Sequence, residues 1–298
     1  MASLYTHRDS NIRKTWFIFA IFLIVVIGAG YVFSRAYGRP EILYAAIIVS
    51  VLMNIWAYWF SDKTVLRMAR AHPVTRESHR ELYNIVENLS ITAGLPMPRL
   101  YITDDAQLNA FATGRNPKHA VIVVTIGLLA HLNRSELEGV LSHELSHIGN
   151  RDILVSGIIV ILAGVIAILS DTFLRTMRFR QFGRRREAGD LFILLGFIFA
   201  LLAPLSALLM RLAISRRRES LADASGALLT RYPEGLASAL AKISDDKTPM
   251  PAANNTTAHL WIDDPFNRDI KTSFLHRMFM THPPIGERIR ALRGMGVK

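Results

Sequence analysis

The sequence predicts a mainly α-helical protein, in which a four-helix transmembrane region carries a polar α+β part with a small β-sheet. Three observations predict it. Runs without a charged residue occupy 16–33, 42–60, 153–170 and 191–210 and are 18, 19, 18 and 20 residues long, against the roughly 20 apolar residues that a helix needs to cross the hydrocarbon layer. The 51% hydrophobic content and the mean hydropathy of +0.25 come largely from these runs. Between them the chain is polar, and its apolar residues recur first at helical and then at alternating spacing. A buried core helix would account for one such run, but four in one chain call for a membrane.

In chain order, residues 1–15 form a short basic tail, followed by a transmembrane hairpin over 16–60. Arg8, Arg13 and Lys14 precede the first run as they would precede a signal peptide. That run is longer than the ~7–15 residues of a signal core, and no small-x-small site follows it, so it reads as a retained anchor. Residues 61–152 form a folded unit. Leu82, Ile85, Val86 and Leu89 recur at helical spacing, and Gly94-Leu95-Pro96 ends that helix. Strands are expected at 99–103, 109–113 and 120–126, with a turn at 114–117; the run AVIVVTI is the clearest of the three. Ser135-Glu136-Leu137-Glu138 matches a capping box that starts the next helix. A second hairpin, 153–213, holds runs three and four around an arginine-rich, partly disordered loop at 171–190. A mostly helical unit, 214–298, closes the chain and includes a turn-rich loop at 244–258.

The chain has no cysteine, which excludes disulfides, thiolate metal sites and a cysteine nucleophile. The net charge of +11 is placed by Lys and Arg flanking the apolar runs, where they meet lipid phosphates. Nothing interleaves aromatic with basic residues as a nucleic-acid groove would, so the expected partner is the lipid bilayer and not nucleic acid.

The chemical signal is His143-Glu144-Leu145-Ser146-His147. On a helix, positions i and i+4 share a face, so both imidazoles reach one ion. The Glu between them sits beside the place where a water would bind. Zinc lowers the pKa of such a water to about 7, and a carboxylate then removes its proton during attack on a carbonyl. The plainer alternative is two surface histidines beside a salt-bridging Glu. A catalytic zinc takes three protein ligands and keeps a fourth position open. Glu219, in Glu219-Ser220-Leu221-Ala222-Asp223, is the best third donor, although it could instead neutralise Arg216–Arg218. If the fourth run continues as helix, Asp223 lies one turn from Glu219 and can orient a ligand histidine as an acceptor. With continuous helices, His147 and Glu219 would stand about 9 and about 14 Å above the membrane boundary, at 1.5 Å per residue. Those similar heights place a site just above the bilayer.

The order of motifs resembles the HtpX family of bacterial membrane metalloproteases, relatives of the CaaX prenyl proteases. Two apolar runs are followed by LNAFATG at 108–114 and LSHELSHIGNRD at 141–152. Two further runs precede SRRRESLADASGA at 215–227 and THPPIGERI at 281–289. The resemblance covers essentially the whole chain. It implies a zincin-like, gluzincin-type protease domain split into halves 61–152 and 214–298. His143, His147 and Glu219 would hold one Zn2+ per chain, with Glu144 as general base. It further implies an edge strand at Asn109, Ala110, Phe111 and Ala112 that pairs with extended substrate. His282 would stabilise the oxyanion, supported by Arg288; from the residues alone His282 is only a histidine in a proline turn. The implied activity is quality-control proteolysis of misfolded or damaged membrane proteins, alongside other quality-control proteases.

With four spans, the tail and both folded halves share one face, which carries fifteen Lys and Arg in the stretches flanking the membrane (1–15, 61–80, 131–152 and 211–231) against eight opposite. That excess predicts a multi-pass protein of the cell inner membrane with its active site facing the cytoplasm. The six arginines of 171–190 run against the rule locally. A CaaX-type prenyl-peptide protease, or a non-catalytic scaffold with structural zinc, remain the competing readings.

Overall fold

The computed structural model describes residues 4–180, 216–251, 257–263, 265 and 284–295. Helices α1 (Leu4–Tyr37) and α2 (Glu41–Met68) enclose the first two apolar runs and pack as a hairpin. They approach closely at Gly30, where a Cβ atom would fall 2.3 Å from the Ala46 Cβ. Small residues at a crossing let membrane helices gain close packing where no hydrophobic drive exists between them. Trp16, Ile24, Ile48, Leu52 and Trp56 face outward. Such an apolar surface is stable against lipid tails and not against water.

Two helices among the described residues are long and apolar enough to cross a membrane by themselves, over Asp9–Arg35 and Glu41–Met68. Four spans were expected. Run four lies outside the described residues. Run three lies in α6 (Asp152–Arg180), a 29-residue helix that meets α5 (Arg134–Gly149) at an 81° bend. The bend falls at Asn150-Arg151, where Arg151 holds φ at +59°, a conformation that side-chain crowding makes costly and that only surrounding structure maintains. The continuous helix assumed for the height of His147 is therefore replaced by a corner. Residues 171–180, expected in a loop, continue α6; 181–190 lie outside the described residues.

The polar part is a four-stranded sheet against helices. β1 (His72–Pro73), β2 (Arg99–Thr103), β3 (Ala110–Gly114) and β4 (Ala120–Thr125) are arranged in the order β1-β2-β4-β3. β2 and β4 pair parallel, and the other two pairings are antiparallel. β4 is central and wholly buried, as its unbroken β-branched run requires. It stops one residue short of expectation because the Thr125 side chain accepts from Leu128 N and caps α4 (Ile126–His131). α3 (Arg80–Ala93) buries Leu82, Ile85, Val86 and Leu89.

α5 runs through the middle of the core, packed against α3, β3, α7 (Arg216–Thr230) and α8 (Pro233–Asp245). Its capping box is shifted from the expected register. Asn133 is the N-cap, its side chain accepting from Glu136 N, while the Glu136 carboxylate accepts from Asn133 N. Ser135 and Glu138 do not form the box. Glu136 is drawn inward by Ser238 and Lys242 on α8, so the buried carboxylate decides which residue caps the helix. α9 (Ile285–Gly294) packs on α7 and α8.

Candidate metal centre

α5 presents His143 and His147 one turn apart, with their Nε2 atoms at 3.1 Å. α7 brings Glu219 opposite, with Oε2 at 3.7 Å from His143 Nε2 and Oε1 at 3.6 Å from His147 Nε2. Tetrahedral zinc with bonds near 2.0–2.1 Å sets its donors about 3.3 Å apart; one donor atom from each of the three residues lies within 4.8 Å of the others, close enough to share an ion. The approach of α7 to α5 depends on Gly226, where a Cβ atom would lie 2.9 Å from Ser142 Oγ and 3.0 Å from His143 N. Any larger side chain there would push the Glu219 helix away from the histidines.

Each imidazole is held from behind. Asp223 Oδ1 lies 2.9 Å from His143 Nδ1, and Asp152 Oδ2 lies 2.9 Å from His147 Nδ1. A carboxylate at Nδ1 keeps the ring proton there and leaves the Nε2 lone pair for a metal. Arg288 grips Asp223 with two donated bonds, from Nε to Oδ2 at 2.9 Å and from Nη2 to Oδ1 at 2.7 Å, and its Nη1 lies 3.9 Å from Glu219 Oε2. Arg288 thus meets the centre through Asp223 and Glu219 and also lies against the His143 ring, with Nη2 at 3.5 Å from both ring nitrogens.

The charges follow from this packing. Burial alone would lower the His147 pKa; the hydrogen bond to Asp152 and the charges of Glu219, Asp152 and Glu144 outweigh it and raise the value to about 9. Burial works to raise the Asp223 carboxyl, yet the Arg288 guanidinium and the His143 hydrogen bond hold it well below the usual carboxylate range. The site is therefore an anionic pocket that favours a cation.

Glu144 is 3% exposed and lines a cleft together with Ala112, His147, Glu219, His259 and Leu260. β3 forms the edge of the sheet here. Ile262 N donates to Ala110 O at 3.0 Å, and Asn109 Nδ2 donates to Asp263 O at 3.1 Å, so residues 262–263 occupy the outer edge beside Asn109 and Ala110. By the alternation of an antiparallel pair, Ala112 turns its N–H and C=O to the same outer side, two residues on and in the cleft. Phe111 is buried, edge-on to Trp261 at 4.6 Å between ring centroids.

The structure thus brings together His143, Glu144, His147, Glu219, Asp223, Arg288 and β3; His282 lies outside the described residues. Asp152 and His259 were missed from sequence. Asp152, five residues after His147 at the mouth of an apolar run, carried a signal in its position. His259, in a turn-rich segment, carried none.

A two-histidine, one-glutamate donor set beside a second, buried glutamate is the chemistry of a metallopeptidase. Comparison with known proteins agrees. Residues 76–296 match the family model described as Peptidase family M48. The protein is 43% identical over 302 residues to a Protease HtpX homolog of Caldanaerobacter subterraneus subsp. tengcongensis, covering 99% of each chain. It is 44% identical over 300 residues to one from Thermoanaerobacter pseudethanolicus, covering 98% of each. Among solved structures, S. mikatae Ste24p shares the fold with a TM-score of 0.50 at 19% identity, over 94% of this chain and 67% of that one. The chain belongs to peptidase family M48, and it is a membrane metalloprotease.

Proposed function

We propose that the chain is a zinc endopeptidase of the cell inner membrane that cleaves misfolded or damaged membrane proteins from the cytoplasmic side. The observation that carries this reading is the convergence of His147, Glu219, Glu144 and Ala112 of β3 in one cleft, with His143 grouped beside His147 and Glu219. His143, His147 and Glu219 hold the ion, one per chain. The ion, when bound, supplies Lewis acidity toward a water and the scissile carbonyl. Asp223 and Asp152 keep both imidazole protons at Nδ1. Glu144 takes the proton of the attacking water and passes it to the leaving amine nitrogen. The backbone of Ala112, within the proposed edge strand Asn109–Ala112, pairs with extended substrate; backbone pairing gives broad selectivity, as disposal of damaged chains requires. His282 donates to the oxyanion, a role that rests on the family resemblance, and Arg288 acts through Asp223.

The proposed organisation is a cytoplasmic tail (1–15), transmembrane hairpins (16–60 and 153–213) and a protease domain in two halves (61–152 and 214–298). The excess of Lys and Arg on the face of the tail and both halves supports the cytoplasmic orientation. Membrane-protein and unfolded polypeptides are the substrates, and other quality-control proteases share the task. A CaaX-type prenyl-peptide protease and a zinc-stabilised scaffold are not favoured, because the relatives are HtpX proteases. The test is Glu144→Gln in detergent. It should retain one zinc per chain and lose cleavage of an unfolded membrane protein by at least about 100-fold, the scale of general-base catalysis. A variant that still cuts removes Glu144 from the mechanism.

A further inference from the structure

The side chain of Asn11 joins the N-terminal membrane helix to the metal centre. Asn11 is 3% exposed and sits near the start of α1, where a helix serving only as an anchor needs no buried amide. Its Nδ2 donates to Asp152 Oδ1 at 2.7 Å and to the Asn150 carbonyl at 2.9 Å. A side-chain amide carries two N–H donors, and both are used at the corner between α5 and α6. Asp152 gives its other oxygen to His147 Nδ1 at 2.9 Å. The corner contains Arg151 at φ +59°, so a clamp on its two neighbours, residues 150 and 152, restrains a turn that the backbone would otherwise relax.

We propose that Asn11 is a positioning residue for the metal ligand His147, making the first membrane helix a component of the metal centre. With one carboxylate oxygen fixed by Asn11, the other points at the imidazole and sets both the ring plane and the proton at Nδ1. Arg218 Nη1 also lies near that oxygen, at 3.5 Å, so losing the shorter Asn11 bond loosens the Asp152 carboxylate without freeing it, and the His147 Nε2 lone pair is less firmly aimed at the ion. Loss of partners behind a ligand typically weakens metal affinity or activity by 10–100-fold. The consequence for regulation is direct: movement of α1 in the bilayer is felt at the ion site through three side chains.

The inference rests on the zinc reading above, so the experiment separates the two. Full-length protein in detergent is titrated with a fluorescent zinc chelator, and the visible absorption of its cobalt-substituted form is recorded. Wild type should bind one zinc per chain, and His147→Ala should not; failure of that pair overturns the zinc reading itself. Asn11→Ala should bind zinc about 10-fold more weakly, shift the cobalt bands and reduce kcat with little change in KM. Asn11→Asp keeps the side-chain volume but replaces both donors with acceptors, and it should behave alike; it also serves if Asn11→Ala does not fold. Asn54→Ala removes a hydrogen bond that ties α1 to α2 instead, from Asn54 Nδ2 to the Phe19 carbonyl at 3.3 Å, and should leave zinc affinity within about twofold of wild type. Unchanged affinity and cobalt spectrum in Asn11→Asp overturns the proposal. So does an equal loss in Asn54→Ala, which would mark a general effect of loosening α1.

Discussion

Glu219 supplies the donor of the trio that does not come from α5, so it closes the site from a second helix. Glu219→Ala should lower zinc affinity by more than the roughly 100-fold that changes behind a ligand produce; an unchanged zinc stoichiometry at submicromolar free zinc would reject it as a ligand. His147 makes a further prediction. With its pKa raised to about 9 in the metal-free protein from an unfolded value of about 6.5, it is protonated at pH 7. Zinc needs the neutral ring, so binding should release a proton, seen as a dependence of binding enthalpy on the ionisation enthalpy of the buffer. The sign for stability runs the opposite way to that of a carboxylate. A raised pKa stabilises the metal-free fold fully below about pH 6.5, and that stability is lost as pH rises toward about 9. The melting temperature of chelator-treated protein should fall across this window, and His147→Gln should flatten the fall.

The helix that carries the two histidines is held at its start by a cap whose register distinguishes two readings of one sequence. Asn133 and Glu136 form the box, and Glu136 also accepts from Ser238 and Lys242 across to α8. Asn133→Ala should therefore cost about 1 kcal/mol in a denaturant titration of the metal-free protein, the usual value of an N-cap, while Ser135→Ala, which removes only the support Ser135 Oγ gives Asn133 Oδ1 at 2.8 Å, should cost less, about 0.5 kcal/mol. Equal costs would restore the register that Ser135-Glu136-Leu137-Glu138 suggests. Gly226 plays the matching part on α7: its lack of a side chain sets the helix spacing that places Glu219 beside the imidazoles.

Seen whole, the molecule sets a metal centre at the corner where a core helix turns into an apolar one, with the N-terminal hairpin packed alongside α6. The sidedness of that centre is testable because the chain has no cysteine, so single introduced thiols report position without background. Arg39→Cys, between the first two helices, should react in intact cells with a membrane-impermeant maleimide. Met97→Cys, on the polar part next to β2, should react only after lysis. The reverse pattern would place the active site outside.

Much of this protein was written in its local sequence. The helical spacing of Leu82, Ile85, Val86 and Leu89, the β-branched run of β4, the length of the first two apolar runs and the i, i+4 pair of histidines each depend on neighbours along the chain. Periodicity and covalent spacing therefore determined them without further information. What the tertiary structure alone decided depends on residues far apart meeting in space. Asp152 and Asn11 share a hydrogen bond across 141 positions. Arg288 reaches Asp223 across 65, and α5 turns away from α6 instead of running on. No local propensity encodes such contacts. They arise because buried polar groups must find partners once the core has excluded water, and which partners are within reach is settled by how the helices pack.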